Sequence, residues 1–514
     1  MDNRGDNRPG PDEAEVGLSS ESSSARLVLG RSPLWLVPSR TTACPRYPQS
    51  LRDRGTPWLV CGAAVGYGAA SGVNGKDSPT EAYPPGYVEE AGRSQGRRRR
   101  PRVRRPQRRT DDDQASFGPM TSKVHGTLPA GAELVIIGAG IAGASTAFWA
   151  ARAGLSPVVL EALAAPAALT TPVATGAFRL QFDNPEETEL VRESVDLMLN
   201  FTEITGQDSR PLGVRQPGYI WATTSGERAE GQRRLVARQH SWGQADIEIL
   251  DGDEARRMFP YLSPDVVQAR YRAGDGFVDP RALTLGLLRA SGAPVHTSCR
   301  VLSLRDRPSG GFDVTTNHGA IRAEQVVIAA GPFTGKLASL TGVDLPLEVK
   351  PRHKVVVPSL ARVPPDAPMT IDDDTGVHWR PVLSGAHVLD AAPRGPGRQP
   401  VEDVPPDHDM AFRVLDPSRS EAAARISPFW GEAWRAGEFS WMVHSGQYTM
   451  SPDHRPLIGR TPIDGLWVNT GYSGHGIMCS PAGGRILADL ITSRLEDSPF
   501  SPDRTFEDRS LDHL

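Results

Sequence analysis

The sequence predicts an α/β fold in which a parallel sheet flanked by helices is interleaved with a second, antiparallel sheet. Three observations carry this reading. Residues 133–161 (ELVIIGAGIAGASTAFWAARAGLSPVVLE) read as strand, glycine turn, helix and second strand; residues 325–330 form a run that is apolar after Gln325 and ends in Ala-Ala before Gly331; and residues 465–491 repeat the order strand, glycine-rich turn, helix far along the chain. Unbroken apolar runs suit parallel strands covered on both faces, and their alternation with helices is the pattern of the α/β class.

Residues 134–137 are the first strand, and Gly138, Gly140 and Gly143 supply G-x-G-x-x-G at its carboxyl end. Gly138 permits the tight turn, Gly140 lets backbone approach a pyrophosphate, and Gly143 lets the helix lie close to the strand. Ile141 and Ala142 open a helix whose unpaired N–H groups and partial positive charge face the phosphates. Residues 144–153 continue it, Gly154 ends it, and residues 157–160 form the next strand. Glu161 then stands about 20 residues after the turn, where an acid meets a ribose hydroxyl. The unit is Rossmann-like, and an acid at this place favours FAD or NAD over NADP.

The chain has 514 residues, enough for two or more domains. Its charge is uneven: residues 1–119 hold 19 basic and 14 acidic side chains, residues 120–514 hold 38 and 47. The first part is rich in Ser, Gly, Pro and Arg without sustained periodicity, so it reads as a disordered extension. The residues from Met120 read as an ordinary short leader to the first strand, so the upstream residues are expected to be an extension, for which a misplaced start is one reading. The arginine run at 96–113 lacks interleaved aromatic residues and a folded module, which argues against nucleic-acid binding. No run approaches the ~18 apolar residues of a membrane span, and neither Met1 nor Met120 opens a secretory signal. Cys44, Cys61, Cys299 and Cys479 show no metal spacing and read as free thiols of a cytoplasmic protein.

The remaining elements follow in order. The loop after Glu161 is too rich in small residues and Pro for regular structure and is expected to wrap the cofactor. Asn184 as N-cap, Pro185 and the acids Glu186 and Glu187 start a helix. Residues 218–224 form a strand and residues 225–239 a charged helix; Asp279 and Pro280 start another. Residues 295–304, 312–316 and 320–333 are strands, the last bringing Ala330 and Gly331 to a second close approach of backbone to nucleotide. Residues 350–441 read as mixed strands and long Pro-rich loops. Residues 465–491 return to the nucleotide sheet.

These landmarks in this order resemble the FAD-dependent amine and amino-acid oxidoreductases, a family that includes D-amino-acid oxidase, glycine oxidase, sarcosine oxidase and the flavin domain of dimethylglycine dehydrogenase. The resemblance rests on GAGIAGAS with Glu161, GAFRLQF around Arg179, DGFVDP at 275–280, VVIAAGPF at 326–333, YTMSPDHRPLIG at 448–459 and GYSGHGIM at 471–478. It implies FAD-binding segments at 130–215, 286–345 and 446–495, substrate-domain segments at 216–285 and 346–445, and a tail at 496–514. For the cofactor it implies contacts from Gly138, Gly140, Ile141, Ala142, Gly143, Glu161, Val301, Ala330, Gly331, Gly474, Gly476 and Ile477. Covalent attachment in the family uses a Cys or His beside the flavin. Gly446 and Gln447 precede Tyr448, and residues 170–176 hold neither type, so noncovalent FAD is expected.

The activity implied is oxidation of the C–N bond of an N-methylated or secondary amino acid or amine, with oxygen or an electron-transfer partner as acceptor. Arg179 resembles the arginine that meets the substrate carboxylate, for which a guanidinium is a planar two-point match; a surface or pyrophosphate-bridging arginine is the other reading. His475 sits in the GHG loop, expected to lead into a helix at Ser480-Pro481 whose dipole faces the flavin. Tyr448, Arg380, His353, Lys354 and His378 lie on segments that face substrate in the family, while Asp453, His454 and Arg455 are expected to fix a turn. Sarcosine oxidases carry a Lys where this chain has Met478, which suggests a larger or less polar substrate. Two alternatives remain: a flavin-bearing binding or assembly protein, and an NAD-linked dehydrogenase.

Overall fold

β1 (Gly131–Ile137), α1 (Ile141–Arg152) and β2 (Pro157–Leu160) form where the sequence places them, in a computed structural model that describes residues 127–391 and 395–506. The expected disordered extension, residues 1–119, lies outside the described residues, as do Cys44 and Cys61. β1 runs parallel to β2, with Ile137 opposite Leu160, and parallel on its other edge to strand Gly319–Ile328, with Ile137 opposite Ile328. Leu134 and Ile136 point to a core shared with Phe148, Leu190, Leu283 and Leu487 of the flanking helices. Val135 and Ile137 point to the opposite core, with Leu304, Phe312 and Val314. Both faces are covered, which is why the run is unbroken; each such side chain contributes about 1.5–3 kcal/mol on burial.

This first sheet has eight strands among the described residues. Its order is Leu457–Arg460, Leu466–Thr470, Gly319–Ile328, β1, β2, Val295–His296, with Val301–Asp306 and Phe312–Thr316 attached to the start of Gly319–Ile328. The stretch expected as one strand at 295–304 is two. Ser298, at φ 52°, turns the chain so that Val295–His296 lies parallel to β2 and Val301–Asp306 pairs with Phe312–Thr316. Ser298 N–H and Cys299 N–H then bond to the carbonyls of Leu163 and Glu161.

Helix starts follow their caps. Asn184 accepts from Glu187 N–H at the head of Pro185–Leu199, Ser225 from Arg228 N–H at Gly226–Ser241, and Asp279 from Ala282 N–H at Pro280–Ser291. Each satisfies a donor that the first helical turn leaves unpaired.

The second sheet also has eight strands, in the order Met442–Met450, Glu348–Val357, Gly385–Leu389, His378–Val382, Met369–Asp372, Tyr219–Thr223, Gln268–Arg272, Glu248–Asp251. It is antiparallel except where Met369–Asp372 meets Tyr219–Thr223 in parallel. The exception is the seam between its two contributing segments. Parallel neighbours need a long crossover, which the chain supplies by passing through the first sheet between them.

The two faces of this sheet differ in kind. Val355, Val357, Trp379 and Val388 pack outward beneath helices His408–Leu415 and Phe429–Ala436, with Trp430 also fully buried there. Those helices replace part of the expected strands and Pro-rich loops; each is only eight residues long, too short to display a helical period among so many prolines and aromatics. On the other face the register aligns Tyr448, Arg352, Lys354, His387, Arg380, His378, Ile371, Met369, Tyr219, Trp221 and Arg270.

Candidate active site

A cavity of about 580 Å³ lies between the carboxyl ends of the first sheet and this basic, aromatic face of the second. At its nucleotide end Gly138, Gly140, Ile141, Ala142, Glu161, Val301, Ala330, Gly331, Gly474, Gly476 and Ile477 all reach the wall. Gly143 does not. A Cβ there would fall 1.9 Å from the Gly138 carbonyl oxygen, so this glycine lets the helix start lie against the turn. Gly138 is at φ +110°, and its Cβ would stand 2.5 Å from the Ala329 carbonyl. Gly140 differs from both: a Cβ on it would meet only Thr171 Oγ1, at 3.4 Å. Gly140 lines the cavity, where bare backbone is suited to close approach of a ligand.

The Glu161 carboxylate accepts from Ala139 N–H and Leu163 N–H, each at 2.8 Å. Burial nonetheless raises its pKa, the two backbone donors only partly offsetting that effect. Its oxygens keep further lone pairs, as a ribose hydroxyl requires. The loop expected to wrap the cofactor lines the cavity from Leu163 to Gly176 in part, and Ala167 N–H ties it to the Ala139 carbonyl at 3.0 Å. A glycine-bare turn, a helix amino terminus and an acid beyond the second strand fit FAD.

At the other end Arg179 is buried between aromatic rings, its guanidinium carbon 5.0 Å from the Phe182 centroid and 5.2 Å from that of Trp221. The DGFVDP motif places it. Asp275, fully buried, accepts from Leu180 N–H at 3.0 Å, Gln181 Nε2 at 2.9 Å and Arg272 at 2.6 Å, clamping the residues that follow Arg179 to the short pair Ala177–Phe178 and Gly276–Phe277.

His475 occupies the N-cap position of helix Gly476–Ile491 without a capping bond from its side chain, and the helix starts earlier than expected and carries Pro481 inside it. Its ring meets Phe182 edge-on at 5.3 Å, and Nδ1 lies 3.4 Å from Glu187. Tyr448 lines the wall with Arg352 over its ring at 5.5 Å, and Gly474 is bare because a Cβ would strike that ring at 2.7 Å.

Arg380 stands elsewhere. It is not among the cavity-lining residues; its guanidinium lies 4.6 Å above the Phe277 ring and bonds to the carbonyls of Thr175 and Pro381, and burial lowers its pKa to about 10. The side chain braces the loop that carries Arg179. His378 and Lys354 do reach the cavity. Burial lowers the His378 pKa to about 3, with Arg352 adding to the effect, so the ring is neutral. Asp453 organises a turn, accepting from Arg455 N–H at 3.2 Å and from Arg504 at 2.7 Å, and this turn brings His454 to the wall.

Sequence reasoning did not single out Tyr219, Trp221, Arg352 or the pairing of Glu187 with His475. Alternation was the available signal: Tyr219 and Trp221, and Arg352 and Lys354, each stand two apart on one strand and so share a face.

The model of the FAD dependent oxidoreductase (DAO) family matches residues 133–490. The chain belongs to this family. Mouse mitochondrial dimethylglycine dehydrogenase is 29% identical over 377 residues, covering 70% of this chain, which spans only 42% of that relative's length. FAD-dependent oxidoreductase domain-containing protein 1 of Xenopus laevis is 26% identical over 71% of this chain and 79% of its own. Among solved structures, glycine oxidase from Geobacillus kaustophilus superposes with a TM-score of 0.63 at 24% identity, covering 74% of this chain and 100% of that one. L-proline dehydrogenase from P. horikoshii gives 0.62 at 23% identity, covering 73% and 98%.

Membership of the FAD dependent oxidoreductase family agrees with the cofactor that the motifs imply. No helix among the described residues is long and apolar enough to cross a membrane. The dimethylglycine dehydrogenases it matches are described as mitochondrial, which leaves the expected cytoplasmic placement without support.

Proposed function

We propose that this protein oxidises the C–N bond of an N-methylated or secondary amino acid, giving an imine that hydrolyses, with FAD held noncovalently. The observation that carries the reading is one cavity joining a glycine-bare dinucleotide cradle to a buried, aromatic-flanked Arg179. FAD, when bound, supplies a two-electron acceptor for a hydride equivalent from the carbon beside nitrogen. Arg179 is suited to a carboxylate in two-point contact, and its aromatic walls fix the guanidinium plane. Tyr448 and His475 border the same space, and the head of helix Gly476–Ile491 directs partial positive charge into it. Arg380 acts as a positioning residue behind the loop. Met478, buried at the wall, adds an apolar surface that suits an N-methyl group. Oxygen or an electron-transfer partner serves as the final acceptor. Relatives named for dimethylglycine and sarcosine support the substrate class.

The test is anaerobic mixing of the yellow holoprotein with dimethylglycine, sarcosine, L-proline and glycine. Bleaching of the flavin absorbance by at least one N-substituted amino acid is expected. A spectrum that none of them changes would instead favour a flavin-bearing binding protein.

A further inference from the structure

We infer that Lys354 takes the proton from the substrate ammonium group inside the cavity, so that the amine is neutral when its C–N bond is oxidised. The inference rests on the amine-oxidation reading above. An amine of ordinary basicity is protonated near neutral pH, since alkylammonium groups titrate near ~10. An ammonium has no lone pair to support positive charge developing at the neighbouring carbon. A proton must therefore leave nitrogen, and the enclosed cavity needs a group to accept it.

The wall offers few acceptors. Glu161 stands at the nucleotide end with backbone donors on both oxygens, and Glu402 is engaged with Arg300. His378 is bonded through Nδ1 to the Gly376 carbonyl and held neutral, His353 Nδ1 is bonded to Ser445, His475 turns its Nδ1 to the Glu187 carboxylate at 3.4 Å, and burial makes His454 a weaker base than an ordinary imidazole. Lys354 is different. It lines the cavity, is only 3% exposed, and donates from Nζ to the Ala174 carbonyl at 3.2 Å. Among the described residues no ion pair joins it to a carboxylate.

Its surroundings are basic on every side given by the sheet register. Arg352 stands two residues away on the same strand, and His444 lies directly opposite on Met442–Met450. His387 of Gly385–Leu389 and Arg380 of His378–Val382 follow across the same face. From the covering loop comes only the Ala174 carbonyl, which accepts one N–H. Burial first, then the Arg380 charge, lowers the Lys354 pKa to about 7. The same field acts on its neighbours: burial and Lys354 together lower the pKa of both His387 and His444.

The step balances simply. The N–H bond of the substrate ammonium breaks, an N–H bond forms at Lys354 Nζ, and no electrons are transferred; the burial and cations that lower Lys354 disfavour the bound ammonium likewise, so the proton passes between groups of comparable basicity. The lysine ammonium, disfavoured by the same cations, returns its proton to water when product leaves.

The test uses the full-length holoprotein, its Lys354→Met and Lys354→Arg variants, and dimethylglycine as substrate. The anaerobic rate of flavin bleaching and its half-saturation are followed from pH 5.5 to 10, so oxygen reactivity does not enter. The wild type should lose rate on the acid side with a midpoint near pH 7. Both variants should instead follow the free-amine fraction of the substrate, falling about tenfold per pH unit below ~10 and matching the wild type within about threefold at pH 10. Trace acetylation of the wild type, read by mass spectrometry, should give half-maximal labelling of Lys354 near pH 7.

An unchanged acid limb in Lys354→Met overturns the assignment, as does a loss of binding equal at every pH, which would mark a carboxylate clamp. Labelling with a midpoint near the ordinary 10.5 overturns it as well. A wild type that neither dimethylglycine, sarcosine nor L-proline bleaches at any pH removes the amine-oxidation reading itself, and this inference with it.

Discussion

Glu187 is buried, yet its carboxyl is held below the usual carboxylate range. Burial would raise it; the neighbouring His475, the Asn184 side chain and the more distant Arg455 outweigh that effect. The group does two jobs. Its N–H bonds to Asn184 Oδ1 and its Oε2 accepts from Asn184 Nδ2, both at 2.8 Å, while its other oxygen faces His475. A local helix cap thus orients a residue nearly 300 positions away. Because the folded pKa lies below the unfolded value of 4.5, the ionised group stabilises the fold fully above pH 4.5 and loses that contribution as pH falls through the folded value. Glu187→Gln should lose about 1–3 kcal/mol at pH 7 in urea unfolding. The gap from wild type should narrow below pH 4.5, and a gap independent of pH would show that ionisation is not the cause.

At the scale of an element, the turn between β1 and α1 separates the requirements of folding from those of binding. Gly138 and Gly143 are bare because backbone crowds them, so alanine at either would disrupt the turn. Gly140 has ordinary space and a φ of −75° that any residue adopts. Gly140→Ala should therefore leave the melting temperature of FAD-free protein nearly unchanged while weakening FAD binding at least ~10-fold, about 1.4 kcal/mol. Equal FAD affinity in the variant would mean that the pyrophosphate does not pass over this residue. Helices His408–Leu415 and Phe429–Ala436 show the opposite relation. They lie outside the cavity and cover the apolar face of the second sheet, with Trp434 stacked on Trp441 at 5.4 Å, so their contribution is to hold that sheet rigid.

For the whole molecule, the cavity exists only where two sheets built from interleaved segments meet. A ligand filling it bridges strands that are far apart in sequence, so FAD should stabilise the fold by mass action, about 2.7 kcal/mol at a free concentration 100 times its dissociation constant. Noncovalent binding further predicts that acid precipitation leaves a colourless pellet and releases the flavin to the supernatant. Flavin that stays with the pellet, and adds to the mass of a peptide, would reverse that expectation. Cavity histidines such as His454 and His475 would then be the first anchors to examine.

The dinucleotide unit was legible from residues because local rules decide it: an unbroken apolar strand, three glycines at fixed spacing, a helix and an acid all lie within 133–161. Helix starts at Asn184, Ser225 and Asp279 were legible for the same reason, as caps act within four residues. The opposite end of the cavity was legible only in part. Arg179, Tyr448 and His475 come together, whereas Arg380 turns to a loop behind the wall, and Tyr219, Arg352 and Glu187 join the site without a local motif to announce them. Which strands become neighbours, and hence which side chains share the cavity face, depends on pairing between segments more than a hundred residues apart. Only the tertiary fold sets that register, and with it the basic field that leaves Lys354 near neutrality.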